Sequence, residues 1–127
     1  MGILLYIIAT ILWMVLTPIN WIIVCLKHGI SNNYFLETAI DIDKFGNRNF
    51  RAFLNFSMVK SLRKYRDIDR FYFVEPYKFG NVNETISSVL GKNQRLGTLS
   101  NFGKITCKTL DFLDKNHCKN SINDLIN

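Results

Sequence analysis

The residues best equipped for chemistry in this sequence are few and scattered. His117 and Cys118 are adjacent, and both types bind metals or serve in nucleophilic catalysis. A zinc site needs three or four ligands at workable spacing, and the only other histidine is His28. A Cys–His pair needs side chains that meet, whereas neighbours on a helix point about 100° apart. His117 falls on the apolar side of its expected helix, which suits a half-buried structural role. Asp111 and Asp114 share a face with lysines, an ordinary surface pairing. Asp41 and Asp43 precede Lys44, but no EF-hand loop pattern follows. The stretch from Gly91 to Thr98 has two cations, Lys92 and Arg95, in what looks like a loop before a helix. It lacks the Gly-Lys-Ser/Thr ending of a phosphate loop, and no parallel strand precedes it. Asn55-Phe56-Ser57 and Asn83-Glu84-Thr85 fit the glycosylation pattern, which needs a secretory lumen to matter. No constellation of acid, base and nucleophile emerges, so neither an enzyme nor a cofactor or metal is expected.

The elements that position these residues divide the chain in two. From Gly2 to Leu26 there is no charged side chain; all 16 Lys and Arg and all 10 Asp and Glu follow. The apolar run makes a helix of about 37 Å, against roughly 30 Å of hydrocarbon, so it can cross a bilayer with tilt. Tyr6, Trp13 and Trp21 are its aromatic anchors, Tyr6 and Trp21 toward the two interfaces. Pro18 removes one backbone hydrogen bond and predicts a kink near Met14 to Thr17, where Thr17 can help satisfy the freed groups. The segment has no basic flank before it and no small-residue cleavage site after it, unlike a signal peptide. Tyr6 occupies the Ser/Thr position of a myristoylation motif, so that motif fails. Lys27, Lys44, Arg48 and Arg51 follow the span, and this excess predicts a cytoplasmic location for the rest of the chain.

The remainder carries the whole net charge of +6 and so favours anionic partners: anionic lipid, an acidic protein or nucleic acid. Ser31, Asn32 and Asn33 suit a helix cap, and Phe45-Gly46-Asn47 suits its end. Asn49 suits the cap of a second helix, Phe50 to Arg66, with Phe50, Leu54, Met58, Leu62 and Tyr65 on one face. That helix carries Arg51, Lys60, Arg63, Lys64 and Arg66 without an acid, the make-up of a helix on an anionic membrane. Arg70 to Val74 is a short extended piece. A short helix is expected from Asn83 to Gly91, and a longer one from Thr98 or Ser100 to His117. At 100° per residue, Lys104, Lys108, Lys115 and Lys119 fall within about 60° of one another and form a basic stripe. Cys107 and Cys118, eleven positions apart on that one helix, would lie about 16 Å apart and could not bridge. This is reduced-thiol usage, compatible with the cytoplasm.

These features give a mainly α fold: an N-terminal transmembrane helix, then a small helical domain with a short extended segment. Residues 1–27 form the anchor, 28–119 the basic domain and 120–127 a polar tail expected to fray. Ile42-Asp43-Lys44-Phe45-Gly46-Asn47, Tyr77-Lys78-Phe79-Gly80-Asn81 and Glu84 to Asn93 resemble small membrane-anchored proteins of tailed phages and prophages. Gly97-Thr98-Leu99-Ser100 and Leu113 to His117 share the likeness. The resemblance implies a viral accessory role, with the host inner membrane as its site, and carries no catalytic residue. The expected function is that of a non-enzymatic accessory protein presenting a basic helical surface. Alternatives are a holin-like lysis or exclusion protein and a membrane-tethered nucleic-acid binder.

Overall fold

A computed structural model describes residues 1–30, 33–68 and 70–126. It divides into two compact units, Met1–Glu37 and Thr38–Asn127. The fold is mainly helical, as the periodicities predict.

The first unit is dominated by α1 (Gly2–His28). This helix is long and apolar enough to cross a bilayer, and none of its most apolar window is buried within the structure. It runs unbroken through Pro18. The Thr17 hydroxyl donates to the Trp13 carbonyl at 2.6 Å, so the turn before the proline is supported by a side chain. Asn20, the one amide in the apolar run, donates to the Tyr34 hydroxyl. Trp21 meets Phe35 edge-on, with centroids 6.4 Å apart. Of the expected capping cluster, Ser31 and Asn32 lie outside the described residues. The following helix, α2 (Tyr34–Asn49), runs past Gly46 and Asn47, which were expected to end it.

The second unit contains α3 (Arg51–Ser57), β1 (Leu62–Asp67), β2 (Arg70–Val74), α4 (Ile86–Leu96), α5 (Asn101–Leu113) and α6 (His117–Asn120). The expected helix from Phe50 to Arg66 is thus corrected. It stops at Ser57, where the chain turns so that Val59 bridges Leu99 and Lys60 N–H reaches the Thr98 carbonyl. Beyond it, Leu62–Asp67 pairs antiparallel with Arg70–Val74. Tyr, Phe and Val at the pairing positions favour a pleated ribbon over a helix.

The core is small: Leu54, Met58, Val59, Phe79, Val89, Leu90, Leu99, Cys107 and Cys118. It sits among α3, α4, α5 and α6. Two glycines let these elements approach closely. A Cβ on Gly91 would overlap the Cys118 carbonyl, and one on Gly103 would overlap the Met58 carbonyl. Gly91 was expected to end its helix. Instead α4 continues to Leu96 and is closed by Gly97 at φ 77°, a left-handed cap that glycine adopts without a Cβ clash.

Between β2 and α4 the chain runs without regular structure, yet its backbone is paired. Three side-chain amides supply the ladder that a sheet would otherwise provide. Asn93 accepts from Tyr77 N–H at 2.9 Å and donates to the Tyr77 carbonyl at 2.8 Å. Asn55 does the same for Phe79, at 2.8 and 3.0 Å. Asn47 accepts from Gly80 N–H and donates to the carbonyls of Asn81 and Glu84. Buried backbone polar groups demand partners, and these amides satisfy them. In the folded chain both polar atoms of the Asn55 side chain are thereby engaged.

Candidate functional site: a basic and aromatic hairpin

The β1–β2 hairpin holds Arg63, Lys64 and Arg66 of the cations singled out above, together with Arg70, in an arrangement different from the one expected. Its register pairs Leu62 with Val74, Arg63 with Phe73, Lys64 with Tyr72, Tyr65 with Phe71 and Asp67 with Arg70, with a bulge between Tyr65 and Asp67. Side chains alternate across a ribbon. One face therefore carries Arg63, Tyr65, Phe71 and Phe73. The other carries Leu62, Lys64, Arg70, Tyr72 and Val74, and Arg66 sits at the bulge. On the aromatic face the Arg63 guanidinium lies 3.8 Å from the Phe71 ring centre and 5.2 Å from that of Tyr65. Phe71 and Phe73 meet edge-to-face at 5.7 Å. Arg66, Arg70, Phe71 and Tyr72 line a shallow open cleft. The aromatics stay largely in solvent, Tyr65 at 68% and Phe73 at 58%, and Ile68 at the tip is 97% exposed.

The other expected cations are spread out. Arg51 opens α3, donates to the Arg48 carbonyl at 2.8 Å and lays its stem along Gly80; it belongs to local packing. Lys60 lies exposed just before the hairpin. The stripe of Lys104, Lys108, Lys115 and Lys119 does not exist as one face. α5 stops at Leu113, Asp114 is extended, and Asn116 takes a left-handed φ of 60° before α6 begins. Lys104 and Lys108 flank a cleft beside Gln94 and Cys107. Lys115 lies in the turn. Lys119 faces a cleft of mixed charge with Asp111 and Asp124.

That break also overturns the reading of the cysteines. With α6 folded back, the Cα atoms of Cys107 and Cys118 lie 6.0 Å apart and the two form a disulfide. Both are buried. The 16 Å separation held only for one continuous helix.

The Gly91–Thr98 stretch is no phosphate loop, because Lys92 is buried inside α4. Its ammonium lies 2.7 Å from Glu84, itself buried, and 4.2 Å from the Tyr77 ring centre. It also donates to the Ile126 carbonyl. Glu84 accepts in addition from Tyr77 at 2.9 Å and Ser88 at 2.6 Å. Burial alone would lower the Lys92 pKa, but the hydrogen bonds to Glu84 and Tyr77 outweigh it and the net shift is upward. The Tyr77 phenol is pushed up by burial first and by its bond to Glu84 second. The C-terminal residues, expected to fray, are tied back by Lys92, by Asn123 N–H to Ser88 and by Arg95 to Asp124 at 2.8 Å.

His117 reaches the hydroxyl of Ser87, not the thiol of Cys118. Its Nε2 is 3.2 Å from Ser87 Oγ and its Nδ1 is 3.0 Å from Asp114. The order serine–histidine–aspartate is that of a hydrolytic triad. Here Asp43 takes the parts such a triad would need. It accepts the Ser87 hydroxyl proton at 2.9 Å and occupies the amides of Ile86 and Ser87 at 3.1 and 3.4 Å. Those amides are where an oxyanion would have to sit. Together with the Thr85 hydroxyl, which accepts from Ser88 N–H, Asp43 caps α4, which starts at Ile86 and not at Asn83 as expected. His117 and Ser87 fasten α6 to α4.

Comparison of the chain with known families, with curated proteins and with solved structures found no match. Its function is therefore argued from the surfaces themselves.

Proposed function

We propose that this chain is a non-enzymatic accessory protein, anchored in a bilayer by α1, whose folded unit presents cations to an anionic partner. The observation that supports this most is the exposed group Lys60, Arg63, Lys64, Arg66 and Arg70. Among the described residues none of the five forms an ion pair with a carboxylate. Cations left unpaired on an exposed ribbon are available to an anion, whereas Lys92, the buried one, is fully used. The surface differs from the expected one in being a ribbon rather than a helix. A non-enzymatic role is supported by Asp43, which occupies the hydroxyl and amides of the sole Ser–His–Asp array among the described residues. The phage-like segments support an accessory setting in a host inner membrane.

Two observations bear on which side of the membrane the folded unit occupies, and they oppose each other. The lysine and arginine excess after the apolar run favours the cytoplasm, but only Lys27, in the last turn of α1, is close to it, and the next is Lys44. The Cys107–Cys118 bridge favours the opposite side, because such bridges persist in oxidising compartments and are rare in the cytosol. One flanking lysine is a weak topological signal, so the bridge carries more weight here. The non-cytoplasmic side also disfavours nucleic acid as the partner.

The test uses the full chain in nanodiscs of neutral lipid, applied to a column of heparin, a soluble polyanion. Retention that is lost steeply as salt is raised supports an anionic partner. Elution together with empty discs overturns it. Reporter fusions to Asn127, one active only in the cytoplasm and one only outside, decide the side.

A further inference from the structure

We infer that the hairpin Leu62–Val74 docks on the surface of an anionic bilayer, with its aromatic face in the interfacial layer and Arg66 and Arg70 on lipid phosphate. This rests on the proposal that the partner is anionic, and it names that partner as lipid. An isolated two-stranded ribbon is marginally stable in water, yet this one leaves aromatics on both faces in solvent. Something must cover it. Further strand pairing is disfavoured at both edges, because β1 carries Arg63, Lys64 and Arg66, β2 is only five residues long and opens on Arg70, and charged or short edge strands resist pairing. An acidic protein could use the cations and the rings alike, but the same chain already carries a helix long and apolar enough to cross a bilayer, which makes lipid the anionic surface at hand. An interfacial layer matches both. Tyr rings settle at headgroup depth, and Phe rings bury at the headgroup–acyl boundary. Arg63, stacked on Phe71 and Tyr65, keeps its charge beside those rings instead of withdrawing it to water. Arg66 and Arg70 border one cleft with Phe71 and Tyr72, and guanidinium binds phosphate oxygens in pairs. Asp67 lies opposite Arg70 in the register, and the sequence adds one further aspartate, Asp69. Five cations from Lys60 to Arg70 against those two aspartates leave the ribbon positive.

The experiment places an environment-sensitive dye at the tip of the full chain. It uses Ile68→Cys, whose native side chain is almost wholly exposed, in a Cys25→Ser background, with Cys107 and Cys118 left bridged. The chain is reconstituted in nanodiscs of neutral lipid, or of neutral lipid mixed with phosphatidylglycerol, each containing spin-labelled lipid as quencher. Several-fold stronger quenching in the anionic discs is expected. Arg66→Gln with Arg70→Gln should return it to the neutral level without changing the melting temperature. Equal quenching in both discs overturns the proposal, as does quenching that survives loss of both arginines. An unquenched dye combined with cross-linking through residue 68 identifies a second copy as the cover, and also overturns it. If the heparin column still retains the chain while the dye stays unquenched, only the lipid assignment fails. If the column does not retain it, the anionic-partner reading fails with it.

Discussion

Lys92 and Arg63 are both cations resting on aromatic rings, and they do opposite work. Lys92 lies over Tyr77 inside the helical unit, bound to Glu84 and to the Ile126 carbonyl, with almost no surface left. Arg63 lies over Phe71 on a ribbon whose rings face water. The first site is closed: every polar atom has its partner within the chain. The second is open: its geometry is in place, but its counter-charge and its cover are not supplied by the described residues. Charge that is buried and paired organises a fold, and charge that is displayed beside bare aromatics recruits something from outside. Substitutions should therefore separate the two regions, costing stability in one and binding in the other.

The largest effect is expected at Glu84. Glu84→Ala leaves the Lys92 ammonium buried without its carboxylate, and removing one partner of such a pair costs about 3–5 kcal/mol. Thermal melting of the full chain in nanodiscs reads this. Adding Lys92→Met should recover much of the loss, because the uncompensated charge then disappears. A double variant as unstable as the single one would show that the pair is not the cause. The same site sets a pH dependence. The folded Lys92 and Tyr77 pKa values are raised above 10.5 and 10.0. Their contribution is therefore fully present below about pH 10 and is lost as pH rises through the folded values. The melting temperature should fall across that alkaline range, and less so in Lys92→Met.

Next in size is the bridge. Cys107→Ser with Cys118→Ser opens a closure of 11 residues and should cost about 2–4 kcal/mol. Non-reducing mass spectrometry of the chain isolated from membranes checks that the bridge forms in cells. Gly91→Ala should cost about 1–3 kcal/mol despite alanine's better helix propensity, because its Cβ meets the Cys118 carbonyl. A neutral Gly91→Ala would mean that α6 does not lie against α4 as described.

What the sequence could reveal follows the range of the interaction. The apolar run of α1 is written in neighbouring residues and was legible, as was the start of α5, where Ser100, one of the two caps expected, takes the role. The break after Leu113 was hidden, because the lysines at 104, 108, 115 and 119 keep helical spacing right across it. The chain turns there because Cys118 closes on Gly91 and His117 on Ser87, both in α4, and neither contact is local. The hairpin was masked in the same way. Leu54, Met58, Leu62 and Tyr65 repeat at helical intervals, while the strand character of Leu62–Asp67 shows only against its partner, Arg70–Val74. The clamps of Asn47, Asn55 and Asn93 left no signal, since an asparagine that binds a peptide group 16 to 37 positions away looks like any other. The candidate surface was thus legible in composition, as cations with interleaved aromatics, and illegible in shape.

The smallest stability effect and the sharpest test of the comparison meet at Arg63. Arg63→Gln removes a cation from the faces of Phe71 and Tyr65, an exposed contact worth about 0.5–1 kcal/mol. Arg63 is exposed and belongs neither to the core nor to the clamped segment, so the melting temperature should barely move. Heparin retention, in contrast, should weaken, eluting at lower salt than the parent. Phe73→Ser should show the complementary split. It keeps every cation, so heparin elution should stay unchanged, while dye quenching in anionic discs should drop. If Arg63→Gln instead unfolded the helical unit, the hairpin would be part of the closed core, and the distinction between the two cations would collapse.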